Sequence, residues 1–198
     1  MSALGRGTSL GRGASLGRGA RPRILAAART LFARQGINAT SINELRAEAR
    51  VSKRTLYQQF ESKDALVLAY LEESERTSPA EALLAREDLA PRARLLELFT
   101  TLIEGPAPRA PDPFSAAATE FPDPEHPVHR ASVDHDRRFL ARLSGLARAA
   151  GAADPEQVGR RLALLYTGAA ARVMVDDAAE AVSDAHAVAA AILRDAID

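Results

Sequence analysis

The chain has 198 residues, of which 46% are apolar and 26% are charged, a balance typical of a folded globular protein. It contains no cysteine, which excludes disulfides, thiolate nucleophiles, iron–sulfur clusters and cysteine-ligated zinc. No stretch reaches the roughly 18 apolar residues of a membrane helix, and residues 1–21 lack the apolar segment of a secretory signal. We therefore expect a cytoplasmic protein with no membrane partner.

The net charge is zero, but the charges are unevenly distributed along the chain. Residues 1–70 carry 12 lysines and arginines against 4 acidic side chains, a net charge of +8, and residues 71–198 carry 14 against 22, a net charge of −8. This asymmetry favours one module that meets a polyanion and a second that does not. A chance excess of arginine on a solvated surface is the alternative.

A six-residue unit repeats near the start, where residues 4–21 read LGRGTS, LGRGAS and LGRGAR. Glycine and serine are so frequent that the three leucines do not offset the entropy lost on ordering this backbone. We therefore expect a flexible arm over residues 1–20. Its arginines favour loose contact with phosphates, and an inert tail is the alternative that the sequence leaves open.

Helical periodicity begins at Arg21 and continues through most of the chain. In the first helix, Ile24, Ala28 and Leu31 fall at the spacing of one apolar face, and Gly36 follows as a C-terminal cap. Serines stand at the N-cap positions of the next three helices. In chain order, the predicted helices are residues 21–36, a short helix opened by a capping box at 41–44, residues 53–60, and residues 63 to about 76.

The remaining two thirds of the sequence are also predicted to be helical. Prolines and glycines separate the segments, and no segment alternates with the period of a strand. The predicted helices cover 91–104, a short segment from 114, 129–150, 155–175 and 185–197, with a proline-rich loop over 106–113. The predicted fold class is therefore all-α.

A tight turn at 49–51 joins the second predicted helix to the third, which is the pattern of a helix-turn-helix. Leu45, Leu56 and Phe60 supply its apolar core. The outer face of the third helix then carries only side chains that can donate hydrogen bonds, none of them acidic: Lys53, Arg54, Thr55, Tyr57, Gln58 and Gln59. Such a helix suits the major groove of DNA, and a helical bundle that binds no DNA is the alternative.

The segment from Thr40 to Leu66, TSINELRAEARVSKRTLYQQFESKDAL, resembles the DNA-binding domain of the tetracycline-repressor (TetR) family. The resemblance implies a helix-turn-helix domain over 21–68 and a larger helical domain over 69–198 that binds a small-molecule effector and forms a homodimer. It implies a transcriptional regulator and not an enzyme, most often a repressor that its effector releases from a palindromic double-stranded DNA operator. An activator of the same family and a non-specific DNA-binding protein are the alternatives.

The resemblance also implies roles for individual side chains. The base edges would be contacted by Asn43, Lys53, Arg54, Thr55 and Tyr57, the phosphates by Ser41, Gln59 and Lys63, and either of these by Gln58. Two residues depart from the family's pattern. Arg50 stands where glycine is usual, so a left-handed backbone there would be strained. Arg46 replaces a small alanine, and its stem must run out to solvent.

Two apolar stripes near the C-terminus predict a dimer interface. The stripes are Leu162, Leu165, Ala169 and Val173 on one helix and Ala185, Val188, Ala189, Ile192, Leu193 and Ala196 on the next. Paired about a two-fold axis, the last two helices of each subunit would form a four-helix bundle. Packing of both stripes into the core of a single chain is the alternative.

An effector pocket is expected among the middle helices. The large side chains available to line it are Phe99, Leu102, Phe114, Phe121, Phe139 and Tyr166, and the candidate polar anchors are Thr119, Glu120 and His126. Each of these residues could equally belong to an ordinary core. We expect the fourth predicted helix, residues 63–76, to join the effector domain to the DNA-binding domain.

Three of the four histidines lie near carboxylates, a combination that suits zinc or nickel. His129 and His135 are six residues apart, however, which places them on nearly opposite faces of a helix instead of at the four-residue spacing of a helical zinc site. We therefore predict no metal and no cofactor. The sequence also lacks the motifs of common hydrolases and nucleotide-binding enzymes, so no catalytic residue is predicted.

Overall fold

The computed structural model describes residues 19–104, 111–175 and 177–197. These residues contain ten α-helices and no β-strand, which confirms the all-α class. In chain order the helices are α1 (Ala20–Gln35), α2 (Ile42–Glu48), α3 (Lys53–Gln59), α4 (Lys63–Arg76), α5 (Pro79–Leu84), α6 (Pro91–Glu97), α7 (Pro113–Glu120), α8 (Pro127–Ala149), α9 (Pro155–Val175) and α10 (Ala178–Ile197). The predicted arm up to residue 18 and most of the predicted proline-rich loop lie outside the described residues.

The described helices divide into two compact units, the first ending at Ala69 and the second beginning at Tyr70. In the first unit, α1, α2 and α3 pack on one another through side chains that helical periodicity brings to one face. Its buried side chains include Ile24, Leu31, Leu45, Leu56 and Phe60. Each such side chain stabilises the fold by about 1.5–3 kcal/mol relative to full exposure, so this small core fixes the angle between the short helices.

The starts of α2 and α3 lie where the serine caps predict them. Ser41 Oγ accepts the backbone N–H of Glu44 at 3.2 Å, and the Glu44 carboxylate accepts the backbone N–H of Ser41 at 2.8 Å, so the capping box is complete. Ser52 Oγ accepts the backbone N–H of Thr55 at 3.0 Å. These bonds satisfy donors that a helix start otherwise leaves unpaired, and the two predicted helices are confirmed.

The turn between α2 and α3 contains Arg50 in the left-handed region, with φ at 51°. The N–H of Val51 donates to the carbonyl of Arg46 at 2.9 Å, and the N–H of Arg50 donates to the carbonyl of Ala47 at 3.1 Å. This pair of bonds is a Schellman motif, in which the left-handed position is usually glycine. The end of α8 uses the same pair of bonds with Gly151, at φ 92°, in that position. The strained turn predicted for Arg50 is therefore present.

The second unit is organised around α8, α9 and α10, which pack side by side. Leu143 of α8, Leu162 of α9 and Leu193 of α10 are fully buried in its core. Gly159 allows α8 and α9 to approach closely, because a Cβ at this position would lie 2.9 Å from the backbone nitrogen of Ser144. The contact between α8 and α9 at Gly159 therefore tolerates little extra side-chain volume.

Several helix boundaries differ from those predicted. The last helix begins at Ala178 and not at 185, because Asp177 Oδ1 accepts the N–H of Ala179 at 2.8 Å and so caps an earlier start. The predicted helix over 91–104 changes at Leu98 into a 3₁₀ helix, Leu98–Ile103. The short helix α5 is missing from the prediction, although Ser78 caps it and a proline follows that cap.

Candidate nucleic-acid interface and ligand cavity

The outward face of α3 is formed by residues that lie opposite Leu56, the buried side chain of the helix, and Phe60, its buried C-cap residue. Lys53, Arg54, Tyr57 and Gln58 are exposed, whereas Thr55 and Gln59 are half-buried. Tyr57 is 44% exposed, so this aromatic residue is accessible to a partner. With no acidic residue in α3, this face presents hydrogen-bond donors to whatever approaches it.

The arginines of this face and of the preceding turn are not neutralised within the protein. Neither the Arg54 guanidinium nor the Arg50 guanidinium forms a hydrogen bond or ion pair with any other described residue. The Lys53 ammonium lies 6.0 Å from the centre of the Tyr57 ring, at the outer limit of a cation–π contact. Unpaired cations on the exposed face of a helix supply the electrostatic attraction for a polyanion.

Three other predicted DNA-contacting residues already have partners in the protein. The Ser41 hydroxyl donates to the Glu44 carboxylate at 2.7 Å, and bonds from the Ser41 backbone and hydroxyl lower the pKa of Glu44 to about 2. Asn43 Oδ1 accepts a bond from Arg46 Nε at 3.1 Å, which leaves the Asn43 amide N–H groups to donate. Lys63 Nζ donates to the carbonyl of Asn38 at 3.2 Å.

The second unit contains a cavity of about 740 Å³ between α5, α7, α8 and α9, hereafter the second-unit cavity. Five of the nine residues predicted to form an effector pocket line it: Phe114, Thr119, Glu120, Phe139 and Tyr166. Further lining residues that the sequence reasoning missed include Glu81, Asp112, His129, His135, Asp136 and Met174. The prediction that His129 and His135 lie on nearly opposite faces is wrong, because six residues turn a helix to positions only about 120° apart. Both could have been found from α8 itself, since 129, 132, 133 and 136 form one helical stripe that flanks 135 and 139.

The other four predicted pocket residues do not line the second-unit cavity. Phe99 is fully buried in the core, where its ring meets that of Tyr166 edge-on at 6.1 Å, and Leu102 packs against the same core. Phe121 and His126 contact each other, with ring centres 4.6 Å apart. His126 Nδ1 accepts the backbone N–H of Val128 at 3.2 Å, so this histidine caps α8.

A stacked pair of rings connects the cavity wall to the end of α4. The imidazole of His135 lies flat on Phe114, with ring centres 3.6 Å apart and planes 5° from parallel. His135 Nδ1 lies 3.2 Å from the Glu75 carboxylate, which also accepts bonds from Arg138 at 3.0 Å. Partial burial opposes the ionisation of Glu75, but the bonds from Arg138 and His135 outweigh it and hold the pKa of Glu75 below its usual value.

Tyr166 and His129 each have one polar atom fixed by the surrounding protein. The Tyr166 hydroxyl lies 3.3 Å from Thr101 Oγ1; burial raises the pKa of Tyr166, and the charges of Asp112 and Glu81 add to that rise. His129 Nδ1 lies 2.7 Å from the carbonyl of Phe121. No three His, Asp or Glu side chains converge as ligands of a metal ion in the described part of the chain.

The predicted dimer stripes split between the core and the surface. Leu162, Ala169, Val173, Ala185, Ala189 and Leu193 are buried within their own chain, so for these residues the single-chain alternative is correct. A different stripe on α9 remains exposed: Leu164 (76%), Gly168, Ala171 and Val175 (75%) follow one another at helical spacing. Val188 of α10, 48% exposed, lines a groove together with Leu164 and Gly168.

Within the residues described, none of the helices combines the length and the apolar character needed to cross a lipid bilayer. Two short capped helices joined by a tight turn, with unpaired cations on the outer face of the second helix, define a helix-turn-helix DNA-binding protein.

Comparison with known proteins identifies the family. Residues 24–70 match the family described as bacterial regulatory proteins, tetR family. A TetR-family transcriptional regulator from Streptomyces coelicolor is 31% identical, with a TM-score of 0.83 over 91% of this chain and 97% of its own. An uncharacterised HTH-type transcriptional regulator from Mycobacterium tuberculosis is 29% identical over 140 residues, which are 70% of this chain and 67% of its own length.

A more distant solved structure shares the fold. A TetR-family regulator from Cytophaga hutchinsonii is 15% identical and has a TM-score of 0.74 over 89% of this chain and 94% of its own. Taken with the match to the Streptomyces coelicolor regulator, these findings show that the chain belongs to the TetR family of transcriptional regulators. It is a DNA-binding regulator with a helix-turn-helix and not an enzyme.

Proposed function

We propose that this regulator is a homodimeric cytoplasmic repressor that binds a palindromic operator and leaves it when a small molecule enters the second-unit cavity. The observation that carries the proposal is the outer face of α3, which has four exposed side chains that can donate hydrogen bonds and no acidic one: Lys53, Arg54, Tyr57 and Gln58. In the major groove, such side chains discriminate among base pairs by hydrogen bonds. Each well-formed bidentate pair contributes about 1–3 kcal/mol of discrimination.

The proposed contacts divide between bases and phosphates. We assign base readout to Lys53, Arg54, Thr55 and Tyr57 of α3, with Asn43 of α2 beside them, and phosphate contacts to Ser41, Gln59 and Lys63, with Gln58 serving either role. Arg54 has no partner within the described protein, so it loses no internal bond on binding DNA. Ser41 must share or exchange its bond to Glu44 to contact a phosphate.

The exposed stripe on α9 supports the dimer. Leu164 and Val175 are three-quarters exposed, and large aliphatic side chains at this exposure are rarely left in contact with water when they form a continuous stripe. A Cβ added at Gly168, which lies between them, would meet no atom of the described chain within 4 Å, so a second helix can approach closely here. A two-fold interface through α9 and α10 would present two copies of α3, and hence would require an operator with two half-sites.

Release by an effector is supported by the stacked pair that links the cavity to α4. Phe114 lines the cavity, His135 stacks on Phe114, and Glu75 in the last turn of α4 holds the His135 ring. A ligand that displaces the Phe114 ring therefore disturbs a bond to α4, the helix that contributes residues to both units. Couplings of this kind typically change DNA affinity by about 1–3 kcal/mol.

The experiment that tests the proposal is selection of bound fragments from the organism's own genomic DNA by the purified full chain. We expect an inverted repeat to be enriched, two chains to bind each repeat, and the repeat to overlap a promoter that the protein silences in transcription in vitro. Enrichment without a shared sequence would show non-specific binding and contradict the proposal. Stimulation of the same promoter would identify an activator and overturn the assignment as a repressor.

A further inference from the structure

The second-unit cavity has an unusual distribution of charge on its wall. Four carboxylates line it, those of Glu81, Asp112, Glu120 and Asp136, whereas no lysine or arginine does so among the described residues. Arg142, outside the lining, pairs with Glu81. Asp112 Oδ2 accepts the backbone N–H of Ser115 at 2.7 Å, so its bond within the protein is to a neutral group and not to a cation. The Asp136 carboxylate forms no hydrogen bond or ion pair with the described protein.

The two histidines of the wall add acceptors to it. A backbone carbonyl can only accept, so the 2.7 Å contact with the carbonyl of Phe121 requires His129 to carry its proton on Nδ1. The ionised Glu75 likewise accepts from His135 Nδ1 at 3.2 Å. When each ring carries only that proton, its Nε2 is a hydrogen-bond acceptor. Among Asp, Glu, Lys and Arg, the described wall holds only carboxylates, which repel an anion and attract a cation, whereas its hydroxyl groups can pair with either.

The apolar part of the wall favours an aromatic body. Phe139 and Tyr166 have ring centres 5.4 Å apart, and Phe114 lies on the same wall with Met174. The faces of such rings attract cations, by about 0.5–2 kcal/mol per contact according to exposure. The volume of about 740 Å³ lies within the range of roughly 300–1,000 Å³ that is usual for sites of drug-sized ligands.

We propose that the second-unit cavity binds aromatic cations whose charge is carried by N–H donors, such as a protonated amine or an amidinium. The inference rests on the proposed function in one respect only, that this cavity is the effector site. It narrows the effector from any small molecule to a positively charged aromatic one. Acidic aromatic compounds of the same shape should bind more weakly because the carboxylates of the wall repel them, and neutral ones because they gain no attraction between charges.

The test uses three probes of nearly identical shape: biphenyl-4-carboxamidine, which is a cation, biphenyl-4-carboxamide, which is neutral, and biphenyl-4-carboxylate, which is an anion. Binding to the full chain is measured by isothermal titration calorimetry without DNA. We expect the cation to bind at least tenfold more tightly than the anion, with the neutral amide between them. Equal affinities, or a preference for the carboxylate, would overturn the proposal without the use of any variant.

Variants locate the bound cation in the cavity. Asp136→Asn removes the carboxylate without a partner and should weaken amidine binding about two- to fivefold, as expected for a charge pair at an exposed residue. Asp134→Asn is the matched control, because Asp134 lies on the same helix, pairs with Arg137 and does not line the cavity. An equal loss in both variants, or no loss in Asp136→Asn, would place the cation elsewhere and overturn the assignment.

Operator binding by the unliganded protein is measured separately. Failure to bind any operator would contradict the proposed function, whereas a preference for the anionic probe would contradict only the ligand class.

Discussion

Replacing Arg50 separates the stability of the α2–α3 turn from its charge. Arg50 occupies the left-handed position of a Schellman motif at φ 51°, where an L residue with a Cβ is strained by about 1–2 kcal/mol. Arg50→Gly relieves that strain, but glycine raises the entropy of the unfolded chain by about 0.4–1 kcal/mol. The net expectation for Arg50→Gly is a gain of about 0.5–1 kcal/mol. Arg50→Ala keeps the Cβ and should gain nothing.

The assay is thermal unfolding followed by circular dichroism, with all proteins at one concentration so that any association is held constant. For a chain of this size, about 1 kcal/mol corresponds to a Tm difference of roughly 2–4 °C. Arg50→Gly should therefore melt above both the parent protein and Arg50→Ala. If the alanine variant melts as high as the glycine variant, the left-handed backbone imposes no cost and the reasoning is refuted.

The same two variants report on the charge of Arg50. Both lose one cation without a partner in the described protein, so they should weaken DNA binding to the same extent. If Arg50 contacts a phosphate, both should also lower the slope of log affinity against log salt by about 0.9. A difference between them in DNA affinity would mean that the turn geometry, and not the charge, determines the contact.

Three further predictions concern the interface, the capping box and the helix crossing. Leu164→Asp should convert a dimer to monomers in analytical ultracentrifugation. Ile103→Asp changes an exposed aliphatic residue outside the α9 stripe and should leave the dimer intact. Dissociation by both variants would contradict the proposed interface. Because the pKa of Glu44 is lowered to about 2, its carboxylate should contribute stability that is complete above the ordinary carboxyl pKa of roughly 4.3 and disappears as the pH falls through about 2. Glu44→Gln should therefore make the thermal stability less dependent on pH over that range. An unchanged dependence of stability on acid pH would refute the role. In urea unfolding, Gly159→Ala should destabilise the fold by about 1–3 kcal/mol because the new Cβ meets the α8 backbone. Gly145→Ala should stabilise the fold by up to about 1 kcal/mol, because a Cβ at position 145 meets no neighbouring atom. The reverse order of stabilities would contradict the close packing of α8 on α9.

The local features of the fold could be predicted because they depend on neighbouring residues. The capping box at Ser41, the cap at Ser52 and the spacing of Leu56 and Phe60 determine α2 and α3 within a few residues. The left-handed turn at Arg50 could also be predicted, because the TetR family usually has glycine at this position of the turn. Such features can be predicted without knowledge of how the rest of the chain folds.

Features that depend on distant contacts could not be predicted in the same way. Periodicity indicates that Phe99 and Phe139 are both on apolar faces, but it does not show that Phe99 enters the core while Phe139 lines the cavity. The same limit applies to α9, where periodicity indicates the stripe that contains Leu162 but does not show whether it packs within the chain or against a second chain. The bond between His135 and Glu75 joins residues 60 positions apart, and no local pattern predicts it.

The central claim is that the outer face of α3 reads bases in an operator, and the most direct test compares Arg54→Ala with Lys63→Ala. Affinities for the selected operator and for random DNA of equal length are measured across a range of salt concentrations. Arg54→Ala should cost about 1–3 kcal/mol at the operator and little on random DNA, whereas Lys63→Ala should weaken both about equally and lower the salt slope by about one. Equal losses on both DNAs for Arg54→Ala would contradict base readout by α3.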